Sequence, residues 1–335
     1  FGWDKVKPGV HFLSTVMVAF GAHFSAVWII VANSWMQTPA GYHIVQQGGR
    51  VRAEVTNFTE LVFNPSTLDR LSHTLLGAWQ AGAWLVISVG AYYLLKKRHQ
   101  DFARASLRIA LPVALAAALL QLVTGDSSAN TAAEHQPAKL AAMEGHYEAS
   151  APADMFLFGW VNEREERVQF GIALPGMLSW LLTGDRRAPV TGLRAFPPED
   201  RPPVNITFQA YHLMVALGMF LIGLSAVGVW LVYTKRFSPL RSLLWIMVFA
   251  VIAPQIANQT GWITAEVGRQ PWIVYGLMRT AEGLSPSVKA GQIVLSLIGF
   301  SLVYILLLAL FVYLLDRKIK RGPDEAIETG REERL

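Results

Sequence analysis

Six long stretches without charged side chains dominate this sequence, and each could cross a lipid bilayer. About 20 apolar residues cover the roughly 30 Å hydrocarbon layer, and a helix satisfies its own main-chain polar groups there. We therefore expect an all-α integral membrane protein, a bundle of about six transmembrane helices. The expected spans are Val10 to Trp35, Leu71 to Leu95, the shorter Ile109 to Val123, Asn205 to Tyr233, Ser242 to Ala265 and Ala290 to Leu315.

Composition agrees with this class and excludes others. Hydrophobic residues make up 53% of the 335 positions and charged residues 16%, with a mean hydropathy of +0.34, which is too apolar for an ordinary soluble protein. Cysteine is absent, so disulfides, thiolate metal sites and cysteine nucleophiles are excluded. The net charge of +5 comes from basic residues spread along the chain, so we expect no nucleic-acid partner.

The distribution of basic residues predicts the orientation of the bundle. If residue 1 is cytoplasmic, more than half of the 29 Lys and Arg residues fall in the inner segments, as the positive-inside rule requires. The domain prediction follows: membrane helices in 1–123, an outer segment in 124–204, membrane helices in 205–315 and a cytoplasmic tail in 316–335. An outer segment of that length is usually functional or disordered.

One carboxylate lies at the end of the fifth hydrophobic stretch. Ionisable side chains inside a membrane helix are costly, so Glu266 is a candidate functional residue. Trp262 and Arg269 lie four residues before it and three after it, on one helical face. Pro271 predicts that this helix ends at Gln270. The alternative is an ordinary ion pair between Glu266 and Arg269 at the headgroup level, and spacing alone does not separate the two.

A histidine and a methionine fall at matching depth below the outer ends of two helices. His73 is about two turns into the second span, and Met214 is similarly deep in the fourth. Imidazole and thioether are a recognised pair of axial haem ligands. Each also has a structural interpretation, His73 as a hydrogen-bonded bundle residue and Met214 as core packing.

The motif around Glu266 resembles the signature of subunit I of cytochrome bd-type ubiquinol or menaquinol oxidases, in the form with a short quinol loop. The similarity extends over nearly the whole chain. The matching segments are Gly2 to Lys5, Val31 to Pro39, Leu61 to Pro65, His73-Thr74, Gly125-Asp126, Lys139 to Glu144, Gly192-Leu193 and Gly268 to Trp272.

The resemblance implies three haems. His73 and Met214 would ligate the iron of a low-spin haem b, and Glu266 that of a high-spin haem b. The third haem would be haem d or another haem b. Side chains expected near the haems are Trp262, Arg269, Gln270, Trp272 and His212, the last of which replaces a family arginine and could compete as a ligand.

The family's outer loop oxidises quinol, which implies that Arg194 and Glu199 act there, although the family has lysine where Arg194 stands. The resemblance starts at what would be the fourth family helix, so we expect the first three helices, with another haem-ligating histidine and the proton-path carboxylates, to lack counterparts. The chain alone would then not supply the complete oxygen-reducing site. Subunit II and a small single-helix subunit are the expected protein partners.

The leading hypothesis is therefore a haem-carrying subunit of an electrogenic respiratory oxidase in the bacterial cytoplasmic (inner) membrane, which takes electrons from quinol and reduces oxygen to water. An alternative is a di-haem cytochrome b membrane anchor that exchanges electrons with quinone without oxygen chemistry. A transporter with Glu266 as its ion site is a third hypothesis, which predicts broken helices and no haem.

Overall fold

The computed structural model describes residues 5–47, 50–234 and 240–323. Part of the Gly2 to Lys5 motif and most of the predicted tail, from residue 324 on, lie outside these ranges. Within them, six helical segments are long and apolar enough to cross a membrane, which confirms the predicted class. The helices are α1 (Pro8–Gln37), α2 (Phe58–Val62), α3 (Thr67–Leu95), α4 (Gln100–His135), α5 (Pro137–Glu144), α6 (Met177–Thr183), α7 (Val204–Tyr233), α8 (Arg241–Phe249), α9 (Ala253–Val267) and α10 (Ala290–Arg321).

The described chain also forms three antiparallel hairpins outside the long helices, which the all-α prediction did not include. Each is a two-stranded sheet. The strands are β1 (Tyr42–Gln47) with β2 (Arg50–Val55), β3 (Met155–Asn162) with β4 (Arg167–Leu174), and β5 (Trp272–Val274) with β6 (Met278–Arg279).

The bundle core joins α3, α4, α7 and α8. Trp84 and Ile87 on α3, Leu111 on α4 and Met247 on α8 are fully buried, and Leu221 on α7 is 3% exposed. Burying side chains of this size contributes about 1.5–3 kcal/mol each in water, but in lipid the gain comes mainly from close packing. The core therefore fixes four helices against each other, and α9 packs on α7 and α3 beside it.

The third span is much longer than predicted. The polar residues after Val123 predict the start of the outer segment, but α4 continues to His135. The hydroxyls of Ser127 and Thr131 donate to the two carboxylate oxygens of Asp69 on α3, at 2.7 and 2.6 Å. These contacts satisfy the polar side chains inside the bundle, so residues 124–135 stay helical.

The fifth span differs from the prediction at two points. A turn of 3-10 helix, Ala250–Ile252, separates α8 from α9, and Pro254, which has no main-chain N–H, follows it. The predicted helix end at Gln270 was wrong, because α9 ends at Val267 and the N–H of Gln270 closes a turn on the Val267 carbonyl, 3.1 Å away. The helix therefore stops one residue after Glu266.

Candidate functional site

Glu266 lies in the last turn of α9 and is bound on both of its oxygens. Arg269 donates to Oε2 at 2.5 Å, and the side-chain amide of Asn33 on α1 donates to Oε1 at 2.9 Å. Asn33 in turn accepts a hydrogen bond from the guanidinium of Arg70 on α3. The ion pair expected from the sequence is therefore present, and it is part of a larger network across three helices.

A buried lysine joins this network from the outer segment. Lys139 on α5 is 6% exposed, and its Nζ donates to Oε1 of Gln37 at 3.0 Å and to the carbonyl of Ala265 at 3.1 Å. Burial holds the pKa of Lys139 well below the usual lysine range; Arg70 lowers it further and Glu266 opposes the shift. The lysine is thus held next to Glu266 through neutral partners.

Positive charge exceeds negative charge in this network. Arg70, Lys139 and Arg269 surround the single carboxylate of Glu266. Three guanidinium nitrogens are buried and have no hydrogen-bond partner among the described residues: Nε of Arg70 and both Nε and Nη1 of Arg269. Buried donors of this kind are rarely left unpaired in native proteins. The arrangement is suited to bind the carboxylates of an anionic cofactor.

His73 and Met214 contact different helices. Nδ1 of His73 is 3.0 Å from the hydroxyl of Thr124 on α4. The sulfur of Met214 packs against Gly261 on α9 so closely that a Cβ at Gly261 would lie 2.9 Å from it. A hydrogen bond to one ring nitrogen is the usual way to orient a metal-binding histidine. Because Gly261 has no side chain, the thioether of Met214 can pack directly against α9.

The other side chains expected near the haems have partners of their own. Both ring nitrogens of His212 face main-chain carbonyls, of Phe208 at 2.8 Å and Phe156 at 2.9 Å. The guanidinium of Arg279 lies 4.7 Å from the centre of the Trp272 ring.

Two other expected residues lie around the end of α9. Gln270 accepts a hydrogen bond from Thr280 at 2.7 Å, while Trp262 is half-buried on α9. To compete as a haem ligand, His212 would have to give up its contact with the carbonyl of Phe208 or of Phe156.

Arg194 and Glu199 lie on the surface of the outer segment. Arg194 forms ion pairs with Glu166, at 2.6 Å, and with Glu148. Glu199 is exposed, and its main-chain carbonyl accepts a hydrogen bond from Arg279. The two residues that the family resemblance assigns to quinol oxidation therefore have different partners: Arg194 pairs with two glutamates, and Glu199 contacts Arg279 through its main chain.

A buried carboxylate in the outer segment was not assigned a role from the sequence. Glu144, the last residue of α5, is 2% exposed and is hydrogen-bonded to Tyr211 on α7, whereas its Oε2 has no partner among the described residues. Burial raises the pKa of the Glu144 carboxyl to about 7, and the Tyr211 hydrogen bond opposes this. The sequence contained a signal that could have identified Glu144, because Lys139 and Glu144 are the two charged residues of an otherwise apolar helix.

A cavity of about 390 Å³ lies beside the same helix. Leu140 of α5, Asn130 and Glu134 of α4 and Leu182 of α6 line it. Its volume lies within the range of sites for small organic ligands, roughly 300–1,000 Å³. The outer segment therefore offers an organic ring a place next to the helix that carries Glu144.

Comparison with known proteins identifies relatives of this architecture. Residues 1–323 match the family model described as cytochrome bd terminal oxidase subunit I. Cytochrome bd ubiquinol oxidase subunit 1 of Bacillus subtilis is 36% identical over 334 residues, covering 97% of this chain and 70% of that protein. A putative cytochrome bd menaquinol oxidase subunit I of the same organism is 33% identical, covering 98% of this chain and 73% of that protein.

A solved structure agrees with the sequence matches. The bd oxidase from Geobacillus thermodenitrificans superimposes with a TM-score of 0.85 at 31% identity, covering 96% of this chain and 73% of the matched chain. The similarity therefore includes the helix bundle and the outer segment together.

Proposed function

The chain belongs to the cytochrome bd terminal oxidase subunit I family, and from this premise we propose roles for the side chains described above. The protein is the haem-carrying, multi-pass membrane subunit of a quinol:oxygen oxidoreductase, a respiratory terminal oxidase, and its partner is subunit II. This family assignment favours the oxidase hypothesis over the di-haem membrane anchor.

Glu266 would hold the iron of a high-spin haem b, and His73 with Met214 that of a low-spin haem b. When bound, the haems supply one-electron transfer and the reduction of oxygen to water; the third would be haem d or another haem b. Thr124 would orient the His73 ring through Nδ1 and leave Nε2 for the metal, as the hydrogen-bond partners of metal-binding histidines usually do. Trp262 would lie between haems.

The excess of buried cations carries this proposal. Arg70 and Arg269 present three unpaired buried nitrogens, and the basic side chain of Lys139 contacts the carbonyl of Ala265 beside Glu266. A buried charge without compensation is strongly destabilising, so the cluster is explained if haem propionates complete it. Gln270, the residue after Arg269, and Trp272, two residues further on, would border the same propionates.

For quinol oxidation we favour Glu144 as the proton acceptor. A general base works best when its pKa lies near the working pH, and burial brings the pKa of Glu144 to about 7. Its Oε2 has no partner among the described residues, and the cavity lined by Leu140 of the same helix has the volume to hold the quinol ring, although Glu144 itself does not line it. Glu144 would take a hydroxyl proton of the quinol, and that proton would leave on the outer side.

Arg194 and Glu199 are a second candidate pair for quinol oxidation, supported by the family resemblance. They are exposed to solvent, so they would act on quinol at the surface of the outer segment. We further propose that the complex is located in the bacterial cytoplasmic membrane, where a small single-helix subunit and oxygen are its other partners.

Two matched substitutions test the choice between the carboxylates in the assembled oxidase. Glu144→Gln should lower the rate of quinol oxidation at least tenfold, while artificial one-electron donors still reduce the haems. Glu199→Gln should leave both rates close to those of the unmodified enzyme. If Glu199→Gln alone abolishes quinol oxidation, the exposed pair is the site; if either substitution reduces both rates equally, that residue acts away from quinol.

A further inference from the structure

A second cavity, of about 400 Å³, lies at the opposite end of the bundle from the candidate site. It opens between α3, α4 and α10. Its wall is formed mainly by apolar side chains, including Val86 and Val89 on α3, Phe102 on α4 and Leu315 on α10. The groove follows α3 from Leu85 to Tyr93, about 12 Å of helix at 1.5 Å per residue. Its length and its apolar wall therefore suit it to bind part of a lipid acyl chain.

The groove is bounded by specific contacts at the inner end of α10. The hydroxyl of Tyr93 donates to the carbonyl of Ile319 at 2.8 Å, and Arg98 donates to that of Lys320 at 3.0 Å. Gly322, with φ +83°, lies against His99 so closely that a Cβ would be 2.3 Å from Nε2. The inner end of α10 is thus fixed to the α3–α4 connection.

The mouth of this groove carries an unbalanced positive charge. Lys318 lines the groove. The nearby carboxylates of the described residues already have partners, because Asp316 pairs with Lys320 at 2.8 Å and Asp101 with Arg104 at 3.4 Å. Lys318 itself has no carboxylate partner in the part of the chain that the structure describes. Phe102 lies in the first turn of α4, and a helix N-terminus also favours negative charge.

We propose that this groove binds one anionic phospholipid of the inner leaflet. One acyl chain lies along α3 between α4 and α10, and the phosphate faces the ammonium group of Lys318. The positive-inside distribution of Lys and Arg places this end of the bundle on the cytoplasmic side, where anionic headgroups attract basic residues. A neutral lipid or a quinone would fill the apolar wall but would leave Lys318 unpaired.

A pair of neighbouring substitutions tests the charge. Arg317 is on the same helix end but does not line the groove. Delipidated, complete oxidase in detergent is titrated with dioleoyl phosphatidylglycerol, and bound lipid is counted by native mass spectrometry. Lys318→Gln should weaken the tightest binding event about fivefold, the effect of one basic residue near an anionic headgroup, whereas Arg317→Gln should not. Equal weakening by both substitutions, or by neither, would overturn the proposal.

A third substitution tests the apolar wall independently of charge. Val86, which is 44% exposed and lines the groove, is replaced by tryptophan to fill it. Val86→Trp should abolish the tight binding event with Lys318 in place. Dioleoyl phosphatidylcholine should bind more weakly than the anionic lipid, and millimolar inorganic phosphate should not displace the lipid. Tight binding that survives Val86→Trp, or that phosphate displaces, would show that no acyl-chain groove is involved.

Discussion

The ammonium group of Lys139 donates a hydrogen bond to the main-chain carbonyl of Ala265, 3.1 Å away. This contact joins the outer segment to the last turn of α9, directly beside Glu266. The same lysine contacts Gln37 on α1, so its position depends on two membrane helices. A substitution near the proposed quinol site would therefore change the surroundings of Glu266, the proposed high-spin haem ligand, through the side chain of Lys139.

Glu266→Gln should remove or loosen one haem. If ferric iron is the partner of the carboxylate, the high-spin haem signal falls while the low-spin signal remains. If Arg269 is the only partner, haem content stays constant and the protein is strongly destabilised, by about 3–5 kcal/mol, because a buried cation loses its pair. Counting haems per protein decides between these outcomes. Glu165→Gln, at an exposed carboxylate paired with Arg167, is the control and should keep all haems.

Met214→Leu should convert the low-spin haem to a five-coordinate or high-spin form. The two side chains have similar volumes, so packing changes by less than about 1.5 kcal/mol, and loss of the thioether ligand is the main effect. Absorption spectra of the reduced protein measure it. Met219→Leu, at an exposed position on the same helix, should leave the spectrum as it was. An unaltered low-spin spectrum in Met214→Leu would contradict the assignment of this ligand.

Gly261→Ala should disturb the same haem without touching the methionine itself. The new Cβ would lie 2.9 Å from the Met214 sulfur, closer than van der Waals contact, so the thioether must move. Methionine ligation raises the haem potential, and we expect the midpoint potential of the low-spin haem to fall. Gly218→Ala is the control, because a Cβ there meets nothing within 4 Å. If the low-spin haem has the same midpoint potential in the two variants, Gly261 does not affect ligation by Met214.

Glu144→Gln should change how stability depends on pH. The unfolded carboxyl loses its proton near pH 4.5, whereas burial keeps Glu144 protonated in the folded state up to about pH 7. The folded-state pKa is raised, so the contribution of Glu144 to stability is complete below pH 4.5 and is lost as pH rises to about 7. Gln cannot titrate, and the variant should become more stable than the parent by on the order of 3 kcal/mol above pH 7.

Thermal unfolding of both proteins between pH 4 and 8 measures this difference. The melting temperatures should coincide at the acid end and separate as pH rises, with the Gln variant higher. Parallel curves over the whole range would mean that the carboxyl titrates near its ordinary value.

Several features were predictable from the sequence because they depend on local composition. A stretch of about 20 apolar residues is stable as a helix in lipid whatever its neighbours are, and α7 and α10 begin within one residue of their predicted positions. Glu266 was a candidate for the same reason, since a charge at the end of such a stretch needs a partner. Local composition placed the end of α4 too early, because Ser127 and Thr131 form hydrogen bonds with Asp69 on another helix.

Only the tertiary structure decided which charges meet. Arg70, Lys139 and Arg269 come from three separate elements, and the contact between Lys139 and Ala265 joins residues 126 positions apart. No periodicity or spacing specifies such a contact, because it depends on how α3, α5 and α9 pack together. Burial likewise separated Glu144 from Glu199: both are carboxylates of the outer segment in the sequence, but one is enclosed and the other faces solvent. Desolvation, which gives a carboxyl a pKa near 7, exists only in the folded protein.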